Sequence, residues 1–141
     1  MSIFGIQKIL ISTLNTYLKS DAALTSYNFY ANEIVFLQDY ELPAILLYSF
    51  KNVPTQSKER DSINSHERIL ELRFELRSAT SAPVDYESLA DTLYSKVLDF
   101  KKLNKYIAYV GNPSFQIGLD EKAPTEIAAT LDISLYYQGK P

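Results

Sequence analysis

Two long segments of the chain alternate between apolar and polar residues, and each is predicted to be a β-strand with one dry face. In the first, Glu67–Ser78, one side carries the apolar residues Leu70, Leu72, Phe74 and Leu76. The other side of the same segment carries the charged residues Glu71, Arg73, Glu75 and Arg77. The second segment, Thr125–Gln138, alternates in the same way. Both strands therefore need a cover on one face.

Two further segments repeat their apolar residues at helical spacing and are predicted to be amphipathic helices. One runs from about Ser2 to Lys19, and the other spans Val84–Lys102. The second begins with Asp85 and Glu87 and ends with lysines, which is the charge order that the helix macrodipole favours. Two such helices supply the cover that the two half-polar strands require.

The remaining apolar stretches predict shorter strands. Ala44–Phe50 has apolar residues on both sides, which favours a strand that is covered on both faces and central in the sheet. Tyr27–Leu37 predicts one or two short irregular strands. Tyr106–Val110 and Phe115–Leu119 flank a Gly-Asn-Pro sequence and are either one strand broken by a bulge or a hairpin. The predicted fold is α+β, with a mostly antiparallel sheet of four to five strands, an N-terminal helix and a second helix packed on one face.

A polar segment, Lys51–Ser65, interrupts this pattern and contains few aliphatic residues. Because it has no apolar period to bury, it is predicted to be a long mobile loop between two strands. Loops of this length in compact domains usually serve a function. The chain of 141 residues is otherwise expected to form one domain over its whole length.

Composition excludes several classes of function. The net charge of −3 gives no general attraction to nucleic-acid phosphates. The chain has no cysteine and a single histidine, so a thiolate metal site is impossible, and no cofactor is expected. The first residues, Met1–Leu18, lack the unbroken apolar run of a signal peptide or membrane span. We expect a soluble protein that does not bind membranes.

Candidate chemistry is sparse, and the chain is not expected to be an enzyme. Glycine-rich phosphate loops and nucleophile elbows are absent from the sequence. His66 would need a nucleophile or metal ligands nearby to act in catalysis, and a solvated histidine at a strand end is the simpler interpretation. The charged face of Glu67–Ser78 has two interpretations. It is either a solvated face stabilised by cross-strand pairs with residues such as Asp132 and Glu126, or the contact surface for a neighbouring subunit.

The order of these elements resembles that of the tail terminator (tail completion) proteins of long-tailed bacteriophages. The resemblance spans nearly the whole chain and is carried by layout rather than by one motif. Its parts are the opening helix ending in Leu18-Lys19-Ser20-Asp21-Ala22-Ala23-Leu24, the Leu42-Pro43 step before an aliphatic strand, the long polar loop, the alternating strand Leu70–Leu76, the amphipathic helix with Tyr86, Leu89 and Leu93, and the final alternating strand.

The resemblance implies a structural protein of the virion, at the junction of tail and neck, that is made in the host cytoplasm. Such proteins form a six-membered ring on the tail tube, end its polymerisation and offer a surface to the head–tail connector proteins. The partners implied are thus other copies of the chain, the tail tube protein and a connector protein. DNA would pass through the lumen without specific binding, which suits an acidic protein.

The predicted interface residues lie in two places: Lys58, Glu59, Arg60 and Asp61 in the polar loop, and Arg73 and Arg77 on the charged strand face. Arg60 is the best anchor in the loop, because arginine and aromatic residues dominate interface hot spots. Two alternatives stay open. One is another phage neck component, such as a head completion or stopper protein, and the other is a ligand-binding α+β domain unrelated to phages.

Overall fold

A computed structural model describes residues 3–31, 41–55, 67–120 and 123–138. The helices are α1 (Ile3–Lys19) and α2 (Tyr86–Leu103), with one 3-10 turn at Ala22–Leu24. The strands in these ranges are β1 (Asn28–Ala31), β2 (Ala44–Pro54), β3 (Glu67–Ala79), β4 (Ile107–Val110), β5 (Ser114–Asp120) and β6 (Ala123–Gln138). They form one sheet in the order β1, β2, β3, β6, with β4 and β5 both on the outer side of β6. Every pair is antiparallel except β1 with β2. The predicted α+β fold is confirmed.

The two alternating strands, β3 and β6, lie side by side in the middle of the sheet. Their register is continuous from Glu67 opposite Gln138 to Ala79 opposite Glu126. One face of this pair is dry, because the alternate residues Leu70, Leu72, Phe74, Leu76, Ala129, Leu131, Ile133, Leu135 and Tyr137 are all buried. The dry face predicted for each strand is therefore shared.

Both helices cover this dry face. From α1 the buried residues Ile6, Leu10, Leu14 and Leu18 join the core, and from α2 the buried residues are Tyr86, Leu89, Ala90, Leu93, Val97 and Phe100. Tyr17 of α1 meets Phe100 of α2 with ring centroids 5.5 Å apart. Within the described ranges, neither helix is long and apolar enough to cross a membrane.

Helix α2 begins at an aspartate cap. Asp85 has extended backbone geometry, and its carboxylate accepts a hydrogen bond from the Ser88 amide at 3.1 Å. The 3-10 turn after α1 is capped in the same way by Asp21, which also forms an ion pair with Lys96 of α2 at 2.9 Å. This contact ties the end of α1 to the middle of α2.

The prediction that a loop begins at Lys51 was wrong, because β2 continues to Pro54 and pairs with β3 to that point. A bulge between Ser49 and Lys51 shifts the alternation, which hides the strand from a search for a period of two. Asn52 then faces the helix side, where its amide donates to the Tyr137 hydroxyl at 2.8 Å. Its side-chain oxygen accepts from Arg68 Nε at 2.8 Å. A polar residue is tolerated there because these bonds satisfy it.

Three other strand predictions are refined. β2 is interior, but it lies next to the edge strand β1 rather than at the centre. The stretch predicted over Tyr27–Leu37 contains β1, and its residues 32–37 lie outside the described ranges. β4 and β5 follow one another along the same edge of β6 and do not pair with each other, so the broken-strand alternative is correct.

We predict that Leu93→Ala lowers the free energy of unfolding by about 2–5 kcal/mol, because it empties a fully buried site between α2 and the sheet. The matched control is Ser95→Ala, which changes an exposed position of the same helix. Chemical denaturation followed by circular dichroism measures both. Equal losses in the two variants would contradict the packing of α2 described above.

Candidate assembly surface

The sheet face opposite the helices, here called the open face, carries the residues of the long strands that alternate with the core residues under the helices. It comprises Ala44, Leu46, Tyr48, Lys51 and Val53 of β2, Ile69, Glu71, Arg73, Glu75 and Arg77 of β3, and Ala128, Thr130, Asp132, Ser134 and Tyr136 of β6. Both helices bury their apolar sides in the core on the other face. Ala44 and Leu46 are nonetheless buried, so the accessible part of the open face is the remainder.

Arg73 lies at the centre of the open face and is held by the neighbouring strand. Its guanidinium makes two parallel hydrogen bonds to the Asp132 carboxylate, at 2.8 and 2.9 Å. The Asp132 carboxylate raises the pKa of Arg73, and the guanidinium also lies 4.7 Å from the ring centroid of Phe50. Because the planar guanidinium is hydrogen-bonded along its edge by Asp132 and covered on one face by Phe50, the Arg73 side chain is already ordered within the chain.

Arg77 belongs to a second set of contacts on the same face. Its guanidinium pairs with Glu75 at 3.2 Å and with Glu126 of β6 at 3.3 Å. The Tyr48 hydroxyl of β2 donates a hydrogen bond to Glu75. Burial, followed by this contact with Glu75, raises the pKa of Tyr48 to about 12.

These contacts make one ion-pair grid, defined as Tyr48, Glu71, Arg73, Glu75, Arg77, Glu126, Asp132 and Ser134. Ser134 completes it by donating its hydroxyl hydrogen to Glu71 at 2.8 Å. The cross-strand pairs expected with Asp132 and Glu126 are confirmed. The grid holds four carboxylates and two guanidinium groups, so it forms a flat polar surface on which the carboxylates outnumber the cations. That Arg73 and Arg77 contact a neighbour stays a prediction.

An apolar row, consisting of Val53, Ile69, Tyr136 and Tyr109, crosses four strands at one end of the open face. Val53 lies opposite Ile69, Ile69 opposite Tyr136, and Tyr136 opposite Tyr109. The two tyrosine rings meet edge to face with centroids 5.2 Å apart. Tyr109 is 55% exposed, and Phe50 of β2, which lies under the Arg73 guanidinium, is 46% exposed. Exposed aromatic residues on a rigid surface are typical of protein interfaces.

The sequence marks Tyr109 and Tyr136, with other tyrosines near strand ends, either as interface anchors or as core and rim packing, but it does not align them with Val53 and Ile69. The bulge in β2 hides the position of Val53, and only the register of the sheet brings the four side chains into line. The alternation of the strands does carry a signal for the two tyrosines. Tyr136 falls between the buried Leu135 and Tyr137, and the exposed Tyr109 precedes the buried Val110. Gly111 lets the chain leave the edge beside them, because a Cβ there would lie 3.2 Å from Cβ of Ser134.

The loop residues predicted as interface, Lys58, Glu59, Arg60 and Asp61, lie outside the described residues, and so does His66. The strands that flank this segment do end beside the apolar row. Thr55 donates its amide hydrogen to the Glu67 carbonyl at 3.1 Å. Thr55 lies two residues after Val53, and Glu67 lies two residues before Ile69. The predicted loop thus leaves and rejoins the sheet at the apolar end of the open face.

Other kinds of site find little support in the parts of the chain that are described. No three metal-binding side chains come together there. An open depression of about 350 Å³ is lined by Lys19, Thr25, Tyr27, Asn28, Phe29 and Tyr30. The Thr25 hydroxyl donates to the Ala22 carbonyl, and the Asn28 amide donates to the carbonyls of Glu41 and Pro43. These polar groups already serve the fold rather than a ligand.

We predict that Tyr48 has a pKa of about 12, above the ordinary tyrosine value of 10.0, and that Glu75→Gln lowers this pKa while leaving it above 10. Burial persists in the variant, whereas the carboxylate that opposes ionisation is gone. Because the folded-state pKa is the higher one, the stabilisation is complete below about pH 10 and is lost as the pH rises through 12. Carbon NMR of the tyrosine rings, assigned with Tyr48→Phe, measures this. A Tyr48 pKa at the ordinary value of 10.0 would contradict the grid.

We predict that Arg73→Lys lowers the free energy of unfolding by about 1 kcal/mol, although it keeps the charge, because an ammonium group cannot make both bonds to Asp132. The control is Lys102→Arg in the exposed pair with Asp99, 3.8 Å apart, which should change stability by less than about 0.5 kcal/mol. Urea denaturation compares the two. Equal effects would mean that the grid adds no order to the open face.

Comparison of the chain with protein-family models and with curated proteins gives no match. The function of this protein therefore has to be inferred from its own residues, from the geometry of the open face, and from the resemblance in layout to tail terminators.

Proposed function

We propose that the protein is a structural component of a bacteriophage virion, a tail terminator that closes into a six-membered ring on the tail tube. The ring would end tube polymerisation and offer a surface for head–tail joining, and the protein would act by surface capture without catalysis. The observation that carries the proposal is the apolar row beside the ion-pair grid on a sheet face that neither helix covers.

The chemistry of the open face favours a protein partner. Tyr109, Tyr136 and Phe50 supply large amphipathic surface with few rotatable bonds, so burying them costs little side-chain entropy. The neighbouring grid is already ordered by Arg73 and Asp132, so a partner would not have to fix its side chains. An apolar strip with an ordered polar field beside it supplies both kinds of surface that interfaces combine.

The layout of elements supports the more specific part of the proposal. An opening helix, a long half-polar strand, a second helix and a final half-polar strand are present as the resemblance to tail terminators requires. A ring of identical subunits needs a heterologous interface, in which one surface of a copy meets a different surface of the next. The net charge of −3 is compatible with a lumen that lets DNA pass without gripping its phosphates.

The same features fit a head completion or stopper protein, because that class also works as a ring in the neck. A ligand-binding domain is less well supported, since Thr25 and Asn28, two of the polar residues that line the open depression, donate to backbone carbonyls. The neck alternative differs in its partner: it would bind the connector and not the tube end.

The experiment is to measure the solution mass by light scattering over a wide concentration range, with electron microscopy of the large species. We expect a closed six-fold ring with a central hole. Tyr109→Ala should raise the concentration at half-assembly by about tenfold or more, as expected for an interface hot spot.

The matched control is Leu103→Ala, which removes a 74% exposed apolar side chain at the end of α2, away from the open face. It should assemble like the wild type. A ring that Tyr109→Ala and Leu103→Ala weaken equally would argue against the open face as the interface. A protein that stays monomeric alone and on tail-tube ends would overturn the proposed function. Rings that cap connectors but not tubes would favour the neck alternative.

A further inference from the structure

We propose that the free edge of β5 is the site where a strand of a neighbouring copy joins the sheet by backbone hydrogen bonds. This inference rests on the proposed ring. It identifies β5 as part of one of the two surfaces through which neighbouring copies would meet. Strand β5 spans Ser114–Asp120 and lies at the outer side of β6.

The direction of the backbone groups of β5 follows from one hydrogen bond. The Gly111 amide donates to the Ser134 carbonyl at 2.8 Å, so the backbone N–H and C=O of Ser134 point toward the edge that β4 and β5 occupy. Because β6 pairs regularly with β3, the N–H and C=O groups of the other even-numbered residues of β6 also point toward that edge. Their partners in β5 are Ser114, Gln116 and Gly118.

The odd-numbered residues of β5 therefore direct their backbone groups away from β6. Phe115 and Ile117 lie between the hydrogen-bonded positions, and among the described residues their amides and carbonyls have no strand beside them. An edge of this kind presents a row of donors and acceptors at strand spacing. Only another extended backbone matches such a row.

Most of strand β5 lacks the features that usually prevent edge pairing. Natural edge strands carry charges, prolines or bulges; in β5 the charge of Asp120 and a register shift stand at its last residue, whereas Ser114–Leu119 has no charged residue, no proline and a regular register with β6. Ile117 lies opposite Ala129 on the helix side of the sheet and is still 50% exposed. An incoming strand would cover this side chain while it completes the ladder.

The occupant we assign is a strand from a different part of a second copy. Pairing of β5 with β5 about a two-fold axis would close a dimer, whereas pairing with a different element can continue head to tail and close a ring. Ser114–Leu119 carries no charge, so this part of the edge places no electrostatic barrier between identical acidic chains. Tyr109, which ends the apolar row, lies on β4 along the same side of β6 as β5, so one neighbour can reach both.

The test replaces the outward amide. Ile117→Pro removes an amide that no described strand pairs with, so the fold should survive, because proline is tolerated on an edge strand where its nitrogen faces solvent. Ile117→Lys keeps the amide and adds a charge at the edge, which decides the matter if the proline variant fails to fold. Ile117→Thr is the control, because it keeps the amide and a β-branched side chain. Circular dichroism checks folding, and light scattering with electron microscopy measures assembly.

We expect Ile117→Pro and Ile117→Lys to raise the concentration at half-assembly by about tenfold or more, and Ile117→Thr to change it by less than about threefold. If both variants form the wild-type ring at the wild-type concentration, this inference is wrong and the proposed ring stands. A discrete wild-type dimer that the proline abolishes would overturn the head-to-tail pairing. A wild-type protein that never assembles, alone or on tube ends, overturns the inference together with the proposed function.

Discussion

The fold depends on the pairing of β3 with β6, because these two strands supply both the floor of the core and the centre of the open face. Their register holds from Glu67 to Ala79 without interruption. A shift of one residue would move every core side chain, Leu72 and Phe74 among them, to the open face and bring arginines under the helices. Burial of charged groups without partners is so costly that this register has no close competitor.

The same alternation that builds the core also prepares the other face for contact. Once Leu70–Leu76 is committed to the helix side, Arg73 lies opposite Asp132, and Arg77 lies within ion-pairing distance of Glu126. Around Arg73 the face is ordered and still partly exposed. Its apolar end, with Tyr109 half exposed, is then the place where association would remove the most apolar surface from water.

The long periodic elements could be predicted from the sequence because their patterns are local. The spacing of Leu89 and Leu93 and the alternation around Phe74 each identify an element without knowledge of its neighbours. The apolar row could not be predicted in the same way, because Val53, Ile69 and Tyr109 are brought into line only by strand order and register. The bulge after Ser49 adds to the difficulty, since it breaks the alternation of β2 where Asn52 faces inward and is satisfied by Tyr137. Local patterns thus predict the core better than they predict the surface.

In the proposed ring, copies of this protein contact one another through the open face and the β5 edge, with the helices turned away. Hydroxyl-radical footprinting across the concentrations of assembly tests this contact most directly, because the chain carries exposed apolar side chains on both sides of the sheet. We expect oxidation of Tyr109, Phe50 and Ile117 to fall as assembly proceeds, while that of Phe4 and Leu103, on the helices, stays constant. Protection of Phe4 and Leu103 with the first three residues unchanged would contradict it.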